Sequence, residues 1–200
     1  ENRGGAVSMN RSLNRKFIQL QIRALVLFGQ RERALERVDD LLASHAADPY
    51  ALATRAHLLA ELGDKAGAQQ ALQQLVAAQP DQPAGWFNLG YLSEEMGQLE
   101  QAEAAFRRAT ELDPQLDRAW YGLALSLIRQ RRFDEAVTAL RKNTELQPMS
   151  PYGWYQLARV HVDRQEPDEA AKIIRHLRKF EPKVAAQLER ETGLGQQAQA

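Results

Sequence analysis

From Pro83 to Pro114 the apolar residues recur at spacings of three and four. Trp86, Leu89, Gly90 and Ser93 fall on one face of a helix, and Ala102, Phe106 and Ala109 fall on one face of a second. A stripe of that kind belongs to a helix buried along one side. Gly97 lies between the two, where a permissive backbone ends the first helix, and Pro114 prevents the second from continuing. The stretch therefore predicts two short helices joined by a tight turn. Such a hairpin cannot bury its outer faces alone, so it needs neighbours of the same kind.

The neighbours are in the same chain. Shifted by 34 residues, the pattern realigns with itself. The large residue of the first helix recurs as Ile18, Leu52, Trp86, Trp120 and Trp154. The small residue of the second recurs as Ala34, Ala68, Ala102, Ala136 and Ala170, followed four positions on by Val38, Leu72, Phe106, Leu140 and Ile174. The turn column reads Gly29, Gly63, Gly97, Arg131 and Gln165, and the terminator column Ala46, Pro80, Pro114, Pro148 and Pro182. A helix pair of this period carrying W-x-x-L-G and then A-x-x-x-F…A…P resembles the tetratricopeptide repeat family. The resemblance covers residues 15 to 184. The middle repeats match best, because Gln21 and Arg55 stand where Leu89, Leu123 and Leu157 sit later.

The resemblance implies an all-α fold: a right-handed α-solenoid of five repeats over 15–48, 49–82, 83–116, 117–150 and 151–184. Residues 1–14 are then an N-terminal arm, unstructured to about residue 11, and 185–200 a C-terminal cap and tail. Ser12 or Asn14 is expected to cap the first helix. Ser150 is expected to cap the ninth, with Pro151 at its first position. A short helix over Val184–Glu191 should close the last apolar face.

In this family the concave groove is lined mainly by the first helix of each repeat. On that basis the inward positions are Lys16, Gln19 and Arg23; Tyr50, Ala53 and His57; Ala84, Phe87 and Tyr91; Arg118, Tyr121 and Leu125; and Tyr152, Tyr155 and Arg159. All five tyrosines fall there, and a tyrosine suits a half-wet wall. The expected peptide-binding residues are Tyr50, Phe87, Asn88, Tyr91, Arg118, Tyr121, Leu125, Tyr152, Tyr155 and Arg159. Members of the family that grip the acidic C-termini of chaperones use a lysine and an asparagine one turn apart. The matching pairs here are Gln19/Arg23, Ala53/His57, Phe87/Tyr91, Tyr121/Leu125 and Tyr155/Arg159, which disfavours that ligand class.

Composition narrows the function from the other side. Lys plus Arg is 26 and Asp plus Glu is 26, without the basic excess of a general nucleic-acid binder. The charge is uneven: residues 83–116 carry two basic and six acidic groups, and 117–184 thirteen basic and nine acidic. There is no cysteine, so disulfides and thiol catalysis are excluded. The four histidines lack the spacing of a helical metal site, and no phosphate loop or nucleophile elbow occurs. No cofactor and no catalysis are expected. His161 stands in a column of Leu25, Leu59, Ser93 and Leu127, which points to a packed histidine. Arg175, His176, Arg178 and Lys179, with Lys172 one turn earlier, make a basic helix face, solvated or docked to an acidic partner or an anionic membrane surface. Leu25-Val26-Leu27-Phe28 is wider than one buried stripe, so Val26 and Leu27 should be covered by residues 1–14 or by a second copy. The run 17–28 is too short to span a bilayer.

The expected function is a non-catalytic peptide- or protein-binding scaffold, with self-association through the N-terminal helix as a further contact and a cytoplasmic location. Two other readings stay open: the recruiting segment of a larger transferase, and a self-assembling structural subunit.

Overall fold

A computed structural model describes residues 3–194, with side chains from Leu13 onward. The described residues form eleven helices and no strand. They are α1 (Arg3–Leu27), α2 (Arg31–Ser44), α3 (Pro49–Glu61), α4 (Lys65–Ala78), α5 (Pro83–Glu95), α6 (Leu99–Leu112), α7 (Asp117–Arg129), α8 (Phe133–Leu146), α9 (Pro151–Asp163), α10 (Pro167–Leu177) and α11 (Pro182–Thr192). The chain divides into two compact units, Glu1–Leu92 and Ser93–Ala200, with the boundary inside α5.

In the first unit each helix packs on its neighbours in the chain, α1 on α2, α2 on α3 and α3 on α4. The core at the N-terminal end is Ile22, Ala34, Val38, Leu41, Ala51 and Leu58. Asp48 caps α3, accepting the Ala51 amide at 3.0 Å, and takes a 2.5 Å hydrogen bond from the Arg15 side chain of α1. In the second unit α6 packs on α7, α7 on α8, α8 on α9 and α9 on α10, and α11 lies against both α9 and α10.

Every alanine of the small column is fully buried, because a larger side chain there would hold the two helices of a pair apart. The bulky column is buried beside it: Val38, Leu72, Phe106, Leu140 and Ile174. The three tryptophans are each tied to the preceding linker. The indole N–H of Trp86 donates to the Pro80 carbonyl at 2.8 Å, that of Trp120 to Pro114 at 3.0 Å and that of Trp154 to Pro148 at 2.9 Å.

The turn column adopts the left-handed backbone throughout, with φ of 68°, 87° and 74° at Gly29, Gly63 and Gly97, and of 60° and 61° at Arg131 and Gln165. A side chain in this region costs about 1 kcal/mol relative to glycine. Gln165→Gly should therefore stabilise the chain by about 0.5–1 kcal/mol and raise the melting temperature by about 1–4 °C in circular dichroism. Arg131→Gly should gain less, because the Arg131 guanidinium stacks 5.9 Å from the Phe133 ring centre. A lower melting temperature for Gln165→Gly would mean that the left-handed turn is not a source of strain.

The structure corrects several expectations about where helices begin and what caps or covers them. The helix over the first hairpin begins at Arg3, so the segment to residue 11 is helical and Ser12 and Asn14 lie inside α1. No proline interrupts that stretch, and extending a nucleated helix is cheap. Residues 3–14 thus run in line with Val26 and Leu27 and cannot fold back over them. Val26 instead packs on the N-terminal core, while Leu27 is 82% exposed. Ser150 occupies the N-cap position of α9, but its side chain makes no capping bond; Pro151 does sit at the first position. Helix α10 stops at Leu177 and Pro182 opens α11, which runs to Thr192 before Gly193 turns left-handed. The tail beyond residue 194 lies outside the described residues.

A charged lattice braces the second unit. Glu103, with its side chain 12% exposed, accepts from Arg107 at 2.8 Å, Arg132 at 2.6 Å and Gln130 at 2.9 Å. Both arginines also reach Glu135, at 2.8 and 2.7 Å. Burial acts to raise the Glu103 carboxyl pKa, but the bonds from Gln130, Arg107 and Arg132 outweigh it and hold the group below its usual 4.5. A carboxyl lowered on folding stabilises fully above its unfolded pKa, and that contribution is lost as pH falls through the folded value. Glu103→Gln should cost about 1–2 kcal/mol at neutral pH. It should also flatten the stability profile below about pH 4.5, read from urea midpoints across that range. An unchanged profile would mean that other carboxylates carry the acid sensitivity.

Candidate functional site

The first unit holds a cavity of about 460 Å³ between the C-terminal half of α1 and the face of α3. Its lining is Arg23, Val26, Leu27, Tyr50, Ala53, Thr54 and His57. The cavity follows from the local sequence. Tyr50 and Ala53 stand three apart on α3, with His57 a turn further on, so they share one strip. Ala53 is too small to fill the space between its larger neighbours. The Arg23 guanidinium lies 5.5 Å from the Tyr50 ring centre, a cation–π distance. The Tyr50 hydroxyl points toward the Gln19 carbonyl at 3.5 Å, and Thr54 donates to the Tyr50 carbonyl at 2.7 Å. The result is an apolar recess with a cation and a phenol at its rim. It brings together Arg23, Tyr50, Ala53 and His57 from the expected inward positions, and adds Thr54. Elsewhere in this unit Phe87 is half-buried on α5, Asn88 is exposed and Tyr91 is 55% exposed.

The second unit gathers a different set. Tyr121 of α7 is half-buried. Burial pushes its phenol pKa up, opposed by a hydrogen bond with Gln156 of α9, and Tyr152 is close enough to add to the rise. Tyr152 itself is 70% exposed. Leu125 is half-buried one turn along α7, and Arg118 is exposed at its start. On α9 the Arg159 guanidinium lies 5.8 Å from the Tyr155 ring centre and donates to its hydroxyl oxygen at 3.3 Å. The Tyr155 hydroxyl in turn donates to Glu191 of α11 at 2.6 Å. That bond, with a second from Gln187, holds the Glu191 carboxyl below its usual range. Tyr155, expected to face the groove, is thus already engaged by the chain's own Glu191. Gln156 and Glu191 were missed from the sequence. Gln156 sits beside Tyr155 and was within reach of the face argument; nothing in the spacing points to Glu191, which is 36 residues away from Tyr155.

Several of the remaining candidates have structural partners. His161 is 3% exposed, with Nδ1 at 2.6 Å from Glu166. On α10, Lys172 bonds Glu169 at 2.5 Å and Arg178 pairs with Glu189. His176 packs between the rings of Trp154 and Phe180, at 4.5 and 5.4 Å. Arg175 and Lys179 are exposed. Among the described residues no three metal-ligating side chains converge, and no helix is long and apolar enough to cross a membrane.

A family model described as a tetratricopeptide repeat matches the chain in three overlapping stretches, 53–117, 94–148 and 121–183. No curated protein sequence matches. Among solved structures, a crystal structure of MamA superposes with a TM-score of 0.79 at 18% identity, covering 86% of this chain and 94% of that one. MamA from residue 41 onward, of Desulfovibrio magneticus RS-1, gives 0.74 at 21% identity over 88% and 96%. YrrB, described as a tetratricopeptide repeat protein with an unusual peptide-binding site, gives 0.78 at 18% identity over 95% and 98%.

Proposed function

We infer, from the premise that the chain belongs to the tetratricopeptide repeat family, that it is a non-catalytic scaffold that binds a peptide or protein segment. Its repeats are assigned to 15–48, 49–82, 83–116, 117–150 and 151–184. The observation that carries this reading is the cavity over α3. Its volume of about 460 Å³ falls within the range of small-ligand pockets and suits one bulky apolar side chain. The Arg23 guanidinium at its rim suits a carboxylate one or two residues away. The other expected groove residues, Phe87, Asn88 and Tyr91 in one unit and Arg118, Tyr121, Leu125, Tyr152, Tyr155 and Arg159 in the other, offer similar stations for further side chains. The fold shared with YrrB, whose description includes a peptide-binding site, agrees with this use.

The test is selection from a displayed random-peptide library, followed by fluorescence polarisation of the winning sequences. A bulky apolar residue near Asp or Glu should dominate, with affinity of about 1 µM, or roughly −8 kcal/mol. Arg23→Ala and Tyr50→Ala should each weaken binding at least tenfold while helicity and melting temperature hold. Tyr121→Ala with Tyr155→Ala asks the same of the second unit. Folded variants that bind as well as the native chain would rule out the corresponding surface.

A further inference from the structure

The outer face of α1 does not follow the pattern of the other helices. Leu13, Phe17, Leu20 and Leu27 are 59%, 58%, 64% and 82% exposed, and Phe28 is 74% exposed. With Ala24, also exposed, the positions 13, 17, 20, 24 and 27 alternate steps of four and three. That is the seam of a coiled coil, with Phe17 and Ala24 at a and Leu13, Leu20 and Leu27 at d. The opposite face, centred on the fully buried Ile22, is spent on the unit's own core.

The repeat register shows that at Phe17 and Leu27 this seam departs from the ordinary contact between successive pairs. The residues equivalent to Phe17 are Ala51, Gly85, Ala119 and Gly153. They are small because the preceding helix lies directly on them: a Cβ at Gly85 would stand 3.3 Å from Val76, and one at Gly153 only 2.2 Å from Asn143. A phenylalanine at that position holds a helix of the usual kind off. The residues equivalent to Leu27 are Glu61, Glu95, Arg129 and Asp163, all suited to water. Helix α1 is also 25 residues long against 11–14 for the others. It is both longer and differently surfaced, as a helix built for a wider contact would be.

We propose that the occupant of this face is α1 of a second copy, paired parallel and in register. The seam carries no charge of its own, so like meets like without burying an unpaired ion. The two arginines of the segment are turned away, Arg15 to Asp48 and Arg23 over Tyr50. Parallel pairing sets Lys16 opposite the partner's neutral Gln21. The area is sufficient. With about 150–200 Å² for a fully exposed side chain, the five large residues leave about 600 Å² open per chain. Two copies then bury about 1,200 Å², the lower end for a specific dimer. Leu27 borders the peptide cavity as well, so the substitutions meant to weaken the dimer lie outside it.

Sedimentation equilibrium of the full chain from about 1 to 100 µM should give a dimer. Phe17→Glu with Leu20→Glu should weaken it at least a hundredfold, with helicity unchanged. Because the chain has no cysteine, Ala24→Cys introduces a single thiol, and mild oxidation should link two copies through it. That variant adds no charge, so it keeps the test valid should the glutamates disturb folding. A native chain that stays monomeric, or a dimer untouched by the glutamates, overturns the proposal. So does cross-linking between Leu13→Cys and Leu27→Cys chains in place of Ala24→Cys. Binding of the monomer to vesicles of anionic lipid through these residues would assign the seam to a membrane surface instead and overturn it too.

Discussion

Phe106→Ala is expected to lower the melting temperature by about 10 °C. The ring is 2% exposed and α7 rests on it without an intervening side chain: a Cβ on Gly122 would lie 2.5 Å from the ring's Cζ. Truncation removes the contact and leaves a cavity that the neighbouring backbone closes only in part, at a cost of about 3–5 kcal/mol. The geometry also fixes the sign of a second change. Gly122→Ala alone overfills the contact and should cost about 1–3 kcal/mol. In the Phe106→Ala background the same methyl enters the vacated space and should be neutral or stabilising, so the two are coupled. Gln73→Ala, at an exposed position of α4, serves as a control with almost no shift. Additive losses at 106 and 122 would mean that the ring does not support α7.

The second large effect is expected at Asp48, which is 4% exposed. One carboxylate oxygen satisfies the amide of the fully buried Ala51, and the other holds Arg15 of α1. Asp48→Ala leaves that amide without its acceptor and should cost about 2–3 kcal/mol. The Arg15 side chain is 43% exposed and can turn to water, so the loss should fall mainly on the cap. Asp48→Asn keeps an acceptor for the amide but not the ion pair, and should recover more than half of the loss. Hydrogen exchange should show the α1 amides opening faster in Asp48→Ala, because Arg15 then no longer ties α1 to α3. Protection of α1 unchanged from the native chain would count against that tie.

The columns that read most clearly from the sequence are those where steric demand allows few residue types. A buried interhelical contact accepts alanine and little else, and a left-handed turn favours glycine, so both repeat visibly. The turn column also shows the limit of that logic. Arg131 and Gln165 have no intrinsic preference for φ near 60°, and only the register revealed that they turn as the glycines do. The start of α1 was illegible because no proline marks it. The aromatic positions of α3, α7 and α9 were legible as a list, since spacing decides which residues share a helix face. Which of them meet, and that Glu191 meets Tyr155, depends on how a terminal helix settles on its neighbours, and no periodicity encodes that.

The tryptophan-to-proline bonds make the molecule's optical signal uneven along its length. Each indole is held to the linker before its own helix, so its emission responds when that linker lets go. The equivalent positions of the first two helix pairs are Ile18 and Leu52, which do not fluoresce. Opening that begins at the N-terminal end is therefore dark in tryptophan emission and visible in far-ultraviolet dichroism. A lag of the first signal behind the second would report the direction in which the chain comes apart.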